Sequence, residues 1–344
     1  MKHVITYLFA FLLFHRATAQ DIHFTQFWQS ALYTNPADVG MYEGAHRFAA
    51  IHKNQWRSIT TPYSTFGLTY DASRIVLPAR WRQDADGLPI ATPWSAGVQL
   101  YHDQAGDSKM RSDQLLVTIG RRFNMGNLWI QPAISCGLSG MRIDYSALNF
   151  DTQWNGLYFD PSAPNAESFG RMSMRWLDVH GGLAVGQETA TQHPWELGFA
   201  VFNLTEGQQS FFSDADVRLN RRWNLNYQQR FPIGVRWRVD AVFQAQRQGA
   251  YQEINPGALV HFITDSKPWH RESFYAGIVA RIGDAGCAVV GIETGPWNVG
   301  VSYDINVSPL KTASRGRGSL EATAVYVVPR KPHLPPRKIC PNHY

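Results

Sequence analysis

Residues 235–246 read Val-Arg-Trp-Arg-Val-Asp-Ala-Val-Phe-Gln-Ala-Gln. In an extended chain Val235, Trp237, Val239, Ala241, Phe243 and Ala245 share one side. Arg236, Arg238, Asp240, Gln244 and Gln246 share the other, interrupted only by Val242. Strand side chains alternate between two faces, whereas a helix would group apolar residues three and four apart. The same rhythm places Phe66, Leu68 and Tyr70 opposite Thr65, Gly67, Thr69 and Asp71. It recurs in Trp94–Tyr101, Trp223–Gln228 and Asn298–Ile305. These runs reach about 10 residues, the length that crosses a tilted barrel wall, whereas strands of soluble proteins average about five or six. Aromatics recur at run ends (Trp56, Tyr70, Trp94, Trp129, Trp195, Trp223, Phe243, Trp297), as an interfacial girdle requires. The polar faces are rich in Gly and small amides, which suits a crowded lumen. A soluble sandwich alternates equally well; run length and girdle favour an all-β transmembrane antiparallel β-barrel.

Working outward gives 14 strand candidates. They lie near 46–56, 64–75, 93–103, 110–122, 127–142, 174–187, 195–202, 221–230, 235–246, 257–264, 273–281, 286–293, 297–304 and 320–328. An even number is what a bacterial single-chain barrel needs, with short periplasmic turns and longer outer loops. With a periplasmic N-terminus, Phe123–Gly126, Phe231–Gly234 and Thr294–Pro296 are short periplasmic turns. Ile143–Ser173 and Asn203–Asn220 are then outer loops. Val76–Thr92 breaks the rule, being long on the periplasmic side. The first and tenth strands alternate poorly.

The bulk composition agrees. Of 344 residues, 17% are charged and 13% aromatic, against about 25% charged in soluble domains. The net charge is +5, but the arginines are scattered rather than clustered as nucleic-acid binding demands. No nucleic-acid partner is expected. Met1–Ala19 reads as a signal peptide: Lys2, the apolar core Val4–Phe14, and the small-residue site Ala17-Thr18-Ala19. The expected organisation is a signal peptide at 1–19, an N-terminal periplasmic or plug segment at 20–45, the barrel at 46–328 and a basic, Pro-rich periplasmic tail at 329–344. Cys136, Cys287 and Cys340 match no metal motif, and no disulfide can be assigned. No H-E-x-x-H, G-x-S-x-G, Walker or dinucleotide-binding motif is present. The Asp103–Asp107 stretch reads as a β-turn rather than a calcium loop. No enzyme, cofactor or metal is expected.

Asp21-Ile-His-Phe24-Thr-Gln26-Phe27 leads into Leu32-Tyr33-Thr-Asn35-Pro36-Ala37 and Gly40. Gln55-Trp56, Pro62–Thr65, Tyr70-Asp71 and the Asp103–Gly106 turn follow. Near the far end come Ser302-Tyr303-Asp304 with Ser308, then Cys340-Pro341. This ordered set resembles the PorP/SprF family of type IX secretion system outer-membrane proteins. No single motif is specific, but their order is. Two stretches depart from the family pattern: His52-Lys53-Asn54 where members carry Tyr-Arg-Asp, and Gly318-Ser319-Leu320-Glu321 where they carry Gly-Ser-His-Glu.

The resemblance implies an outer-membrane component of the type IX secretion and gliding machinery. Such a protein binds, and helps export or anchor at the surface, adhesins or other cargo bearing a type IX C-terminal signal. Outer-membrane lipid, the cargo and other secretion-machine subunits are the implied partners. Asn35, Pro36, Gln55, Trp56, Tyr303, Asp304, Cys340 and Pro341 are the implied family-motif or partner-binding residues. The alternative is a porin-like barrel passing a small solute.

Overall fold

The computed structural model describes residues 23–55, 63–75, 93–106, 108–145, 148–164, 171–187, 193–212, 214, 216–267, 270–308 and 317–330. The signal peptide, Trp56, the Val76–Thr92 stretch, Cys340 and Pro341 lie outside them.

The strands are β1 (His46–Gln55), β2 (Tyr63–Ala72), β3 (Trp94–Ala105), β4 (Met110–Arg121), β5 (Phe123–Met125), β6 (Leu128–Arg142), β7 (Ser173–Gln187), β8 (Trp195–Phe202), β9 (Arg222–Ile233), β10 (Trp237–Gln248), β11 (Tyr251–Lys267), β12 (His270–Arg281), β13 (Ala285–Thr294), β14 (Trp297–Asn306) and β15 (Arg317–Val328). Apart from β5, which pairs only with β6, the strands pair antiparallel in chain order; β1 pairs with β15, and β4 pairs directly with β6. The three-residue β5 continues β4 into the turn before β6. The result is a closed barrel of 14 strands with one short extra strand. Each of the fourteen long strands has a partner on both sides, as closure in lipid requires, although the β8 ladder covers only Gly181–Gly186 of β7.

The fourteen expected strands are all present, with ends moved by a few residues. The largest shift is β11, which begins at Tyr251 and meets β10 through a tight turn at Gly249. The alternation maps onto two faces. Outward residues include Leu115, Val117, Leu138, Leu177, Phe274 and Ile278, which are 50–72% exposed on the isolated chain and form the lipid face. Inward residues include Gln99, Thr118, Gln131, Ser135, Asn226, Asp304 and Glu321, all buried.

The two weak strands have a physical explanation. In β1 the inward Ile51 packs with Phe24, Tyr33 and Tyr101, and the inward Lys53 donates to the His23 carbonyl at 2.8 Å. Both serve the N-terminal segment rather than water, so the inward face is not uniformly polar. In β11 the inward Leu259 joins an apolar patch of Tyr275, Val279, Ala285, Cys287 and Val289, against which Trp28 packs. Val242, the break in the β10 rhythm, points inward beside Gly257 at the same patch.

Candidate functional site

The lumen is occupied by the chain's own residues Phe24–Gly40. This segment contains one helical turn, Ala31–Thr34, and a 3-10 turn, Pro36–Asp38. Nearly all of it is buried. It begins level with the far mouth, where β1 ends and β15 begins. It descends to the near mouth, where Ala45 enters β1.

At the far mouth the Glu321 carboxylate accepts the backbone N–H groups of Thr25 (2.9 Å) and Gln26 (2.7 Å). The Thr25 hydroxyl donates to Asp304 at 2.9 Å and accepts from Arg281 at 3.1 Å. Arg281 also donates to Asp304 at 3.3 Å and lies 3.7 Å from Glu253. The Thr323 hydroxyl donates to the Gln26 side-chain oxygen. Each wall charge is thus held by an opposite charge or by polar groups of the segment, as burial requires.

Midway, Tyr33 stacks beneath the Arg222 guanidinium, 4.4 Å from the ring centroid, and touches Tyr101 and Phe202. Asn224 donates to the Thr34 carbonyl at 2.9 Å. Asn35 does two things. Its side-chain oxygen accepts the Ala37 N–H at 2.9 Å and caps the 3-10 turn, whose fixed-φ Pro36 has no N–H to leave unpaired. Its amide N–H₂ donates to Asn226 and to the Leu183 carbonyl. Gly182 and Gly198 form the floor under it. A Cβ at Gly182 would stand 2.2 Å from the Asn35 oxygen, and one at Gly198 would stand 2.4 Å from its nitrogen. The two glycines are there because a side chain would expel the asparagine.

Toward the near mouth Gln131 donates to the carbonyls of Ala37 (2.8 Å) and Val39 (2.6 Å). Gly40, at φ +71°, turns the chain against Ser95, and its N–H donates to Asp71 at 2.7 Å. Arg47 grips the same carboxylate with two bonds of 2.9 Å and donates to the Asp38 carbonyl. Tyr42 closes the exit with a bond to the Asp71 carbonyl; burial, with the Asp71 carboxylate nearby, pushes its phenol pKa up.

The residues singled out from sequence are therefore distributed. Asn35 and Pro36 lie in the lumen segment, and Asp304 is one of its wall anchors. Tyr303, next to Asp304, faces lipid and is 42% exposed. Gln55 stands at the far rim opposite Ser319 and Tyr63. Trp56, Cys340 and Pro341 fall outside the described residues. Sequence reasoning did not name Glu321, Arg281, Glu253, Lys53, Gln131 or Asn226 as site residues; Lys53 and Glu321 entered only within the stretches that depart from the family pattern. A signal was present: each is a charged residue or a large amide on the lumen phase of its strand, where small residues abound.

Fold and lumen together define an outer-membrane β-barrel filled by its own N-terminal segment. The family model of the type IX secretion system membrane protein PorP/SprF matches residues 17–326, and the chain belongs to that family. It is an outer-membrane component of type IX secretion. The PorP/SprF family is not an enzymatic one. Comparison with curated protein sequences gives no match. Among solved structures the chain is similar to the toluene transporter TbuX of Ralstonia pickettii, at 8% identity and TM-score 0.48, covering 87% of this chain and 92% of that one. It is also similar to the toluene transporter TodX of P. putida (11%, TM-score 0.49, 89% and 95% covered). A third is the outer-membrane protein Omp33 of Acinetobacter baumannii (8%, TM-score 0.39, 83% and 98% covered). These likenesses are of barrel to barrel and bear on no ligand.

Proposed function

We propose that this protein recognises type IX cargo, such as a secreted adhesin carrying a C-terminal signal, and helps export it or hold it at the cell surface. The mechanism is binding, with no bond made or broken. The observation that carries this reading is the filled lumen. With Phe24–Gly40 bonded to the wall from mouth to mouth, the interior offers a solute little room, and recognition falls to the exposed ends. This argues against the porin-like alternative.

At the far mouth the two long connections after β6 and β8 expose Trp154, Leu157, Tyr158, Phe212 and Val217. These side chains lie beyond the strands, where lipid does not account for their exposure, and exposed apolar groups gathered at one place suit a protein partner. The far mouth faces the outside, residues 1–19 are removed as a signal peptide, and the tail 329–344 extends into the periplasm as a dock for another machine subunit. Arg330 supports the placement of the tail: it donates to the Gly44 and Ser73 carbonyls, so the tail starts at the near mouth.

The test is copurification. The folded, full-length protein should bring down its secreted adhesin or secretion-machine subunits. A variant lacking 143–173 and 203–220 that still inserts should lose the cargo. Normal cargo retention by that variant would refute the reading.

A further inference from the structure

The outward face of β4, β6 and β7 ends abruptly at the far mouth. Leu115, Leu138 and Leu177 stand in one cross-strand row, 50–60% exposed to lipid. One outward step further comes the row Asp113, Gly140 and Arg175. The next is Arg111, Arg142 and Ser173. Arg111 and Arg142 are direct partners across the ladder, and Arg175 is diagonal to Arg142. All three are exposed. Like charges directly opposite on a sheet repel and destabilise the pair. Among the described residues none of these guanidiniums has an ion-pair partner. Asp113 is engaged by His102, 2.7 Å away, and Asp144, just beyond Arg142, has contacts of its own.

Height fixes what such a cluster meets. On β4, Arg121 and Arg111 are ten residues apart, about 34 Å along the strand. Tilted by about 40°, this spans roughly the 25 Å apolar band of an outer-membrane barrel. Both arginines therefore lie at headgroup level, one at each interface. At the near mouth Arg121 is already satisfied: it stacks on Trp94 (5.3 Å) and Phe123 (4.8 Å). At the far mouth Arg111 has another arginine for a neighbour instead.

Arg175 also borders a cavity of about 340 Å³ with Arg171, Trp176, Gln208 and Ser210, and no carboxylate lines it. Trp176 points into the barrel, opposite in phase to Arg175. On the outer side the exposed guanidiniums of Arg171 and Arg175 and the Gln208 amide offer donors to oxygen-rich groups.

We propose that Arg111, Arg142 and Arg175 form a binding site for the phosphorylated sugar headgroup of an outer-leaflet lipid. The phosphate bridges the three guanidiniums through charge-assisted bonds. The headgroup sugar lies at the cavity rim against Arg171 and Gln208, and the acyl chains run down over Leu138 and Leu177. The three arginines lie on the strands' outward face, away from the lumen segment; Gln208 and Ser210 of the cavity belong to the 203–220 connection.

The experiment is native mass spectrometry of the folded, full-length protein with lipid A, with zwitterionic phosphatidylethanolamine and with inorganic phosphate. Lipid A should bind one-to-one and survive an excess of phosphatidylethanolamine. R111Q/R142Q/R175Q should weaken it about tenfold or more, and the triple lysine variant should restore a substantial part. Heat-modifiable gel mobility verifies that each variant is folded. Should the glutamine variant misfold, R142Q alone, with lipid A competed against phosphatidylethanolamine, gives the same reading with a smaller change. Undiminished lipid A binding by folded glutamine variants would overturn the proposal. So would equal affinity for the zwitterionic lipid, or binding of inorganic phosphate with none of lipid A.

Discussion

Two buried charge clusters, one at each mouth of the barrel, neutralise their charge differently. At the near mouth Arg238 reaches Asp240 (2.9 Å) and Glu293 (3.0 Å), His261 lies 3.1 Å from Asp240, and Ser273 donates to Glu293 at 2.7 Å. This network runs from wall to wall across β10, β11, β12 and β13. At the far mouth Glu321, Asp304 and Arg281 spend bonds on Thr25 and Gln26, residues of the inserted segment. One cluster therefore needs only the barrel, and the other needs the segment. The lesson is that charge in a barrel lumen can serve either as internal bracing or as a socket. Only the hydrogen-bond partners distinguish the two, since residue types and burial are alike.

Deleting Phe24–Gly40 should have the largest effect. It uncovers the apolar patches around Tyr101, Val289 and Trp129 and strips Glu321 of both backbone donors. Removing partners from buried charge is strongly destabilising. Thermal unfolding followed by gel mobility should show the melting temperature falling by at least about 10 °C, consistent with several kcal/mol.

Glu321→Ala should cost about 3 kcal/mol, from two orphaned backbone N–H groups and an unbalanced Lys53, its direct partner across the β1–β15 ladder. Hydrogen exchange should reveal faster exchange at the Thr25 and Gln26 amides. Glu293→Ala, its near-mouth counterpart, should destabilise the barrel while leaving those two amides protected. If both variants loosened the segment equally, the distinction between brace and socket would fail.

Asn35→Ala loses the cap and two wall bonds and should cost about 1–3 kcal/mol. Gly198→Val should mimic it, because its side chain takes the asparagine's place, and in both variants the Ala37 amide should exchange faster. Tyr303→Phe, on the lipid face, should shift stability by less than about 0.5 kcal/mol and leave the segment's exchange unchanged.

Much of this architecture was legible in the two-residue rhythm. Strand number, approximate bounds and facing follow from it, because lipid on one side and polar lumen on the other impose alternation residue by residue. β10 could be read almost without error. β1 and β11 were blurred because their lumen faces meet Phe24, Trp28 and Tyr33 instead of water, so apolar residues appear on the polar phase. The segment itself has no alternation, and its sequence left open whether it lies in the periplasm or in the lumen. Its partners come from strands up to 297 residues away, as Gln26 with Thr323 illustrates, and local pattern carries no information about such pairs. Asn35 and Pro36 stood out as turn formers. That the asparagine needs glycine at 182 and 198 becomes visible only when β7 and β8 are placed beside it.

Electrical recording in a planar bilayer reads whether the barrel is stoppered by its own amino-terminal segment. The folded full-length protein should insert and remain silent, with no steady current above bilayer leak across moderate voltages. A stable, reproducible open-channel current from the intact chain would contradict it.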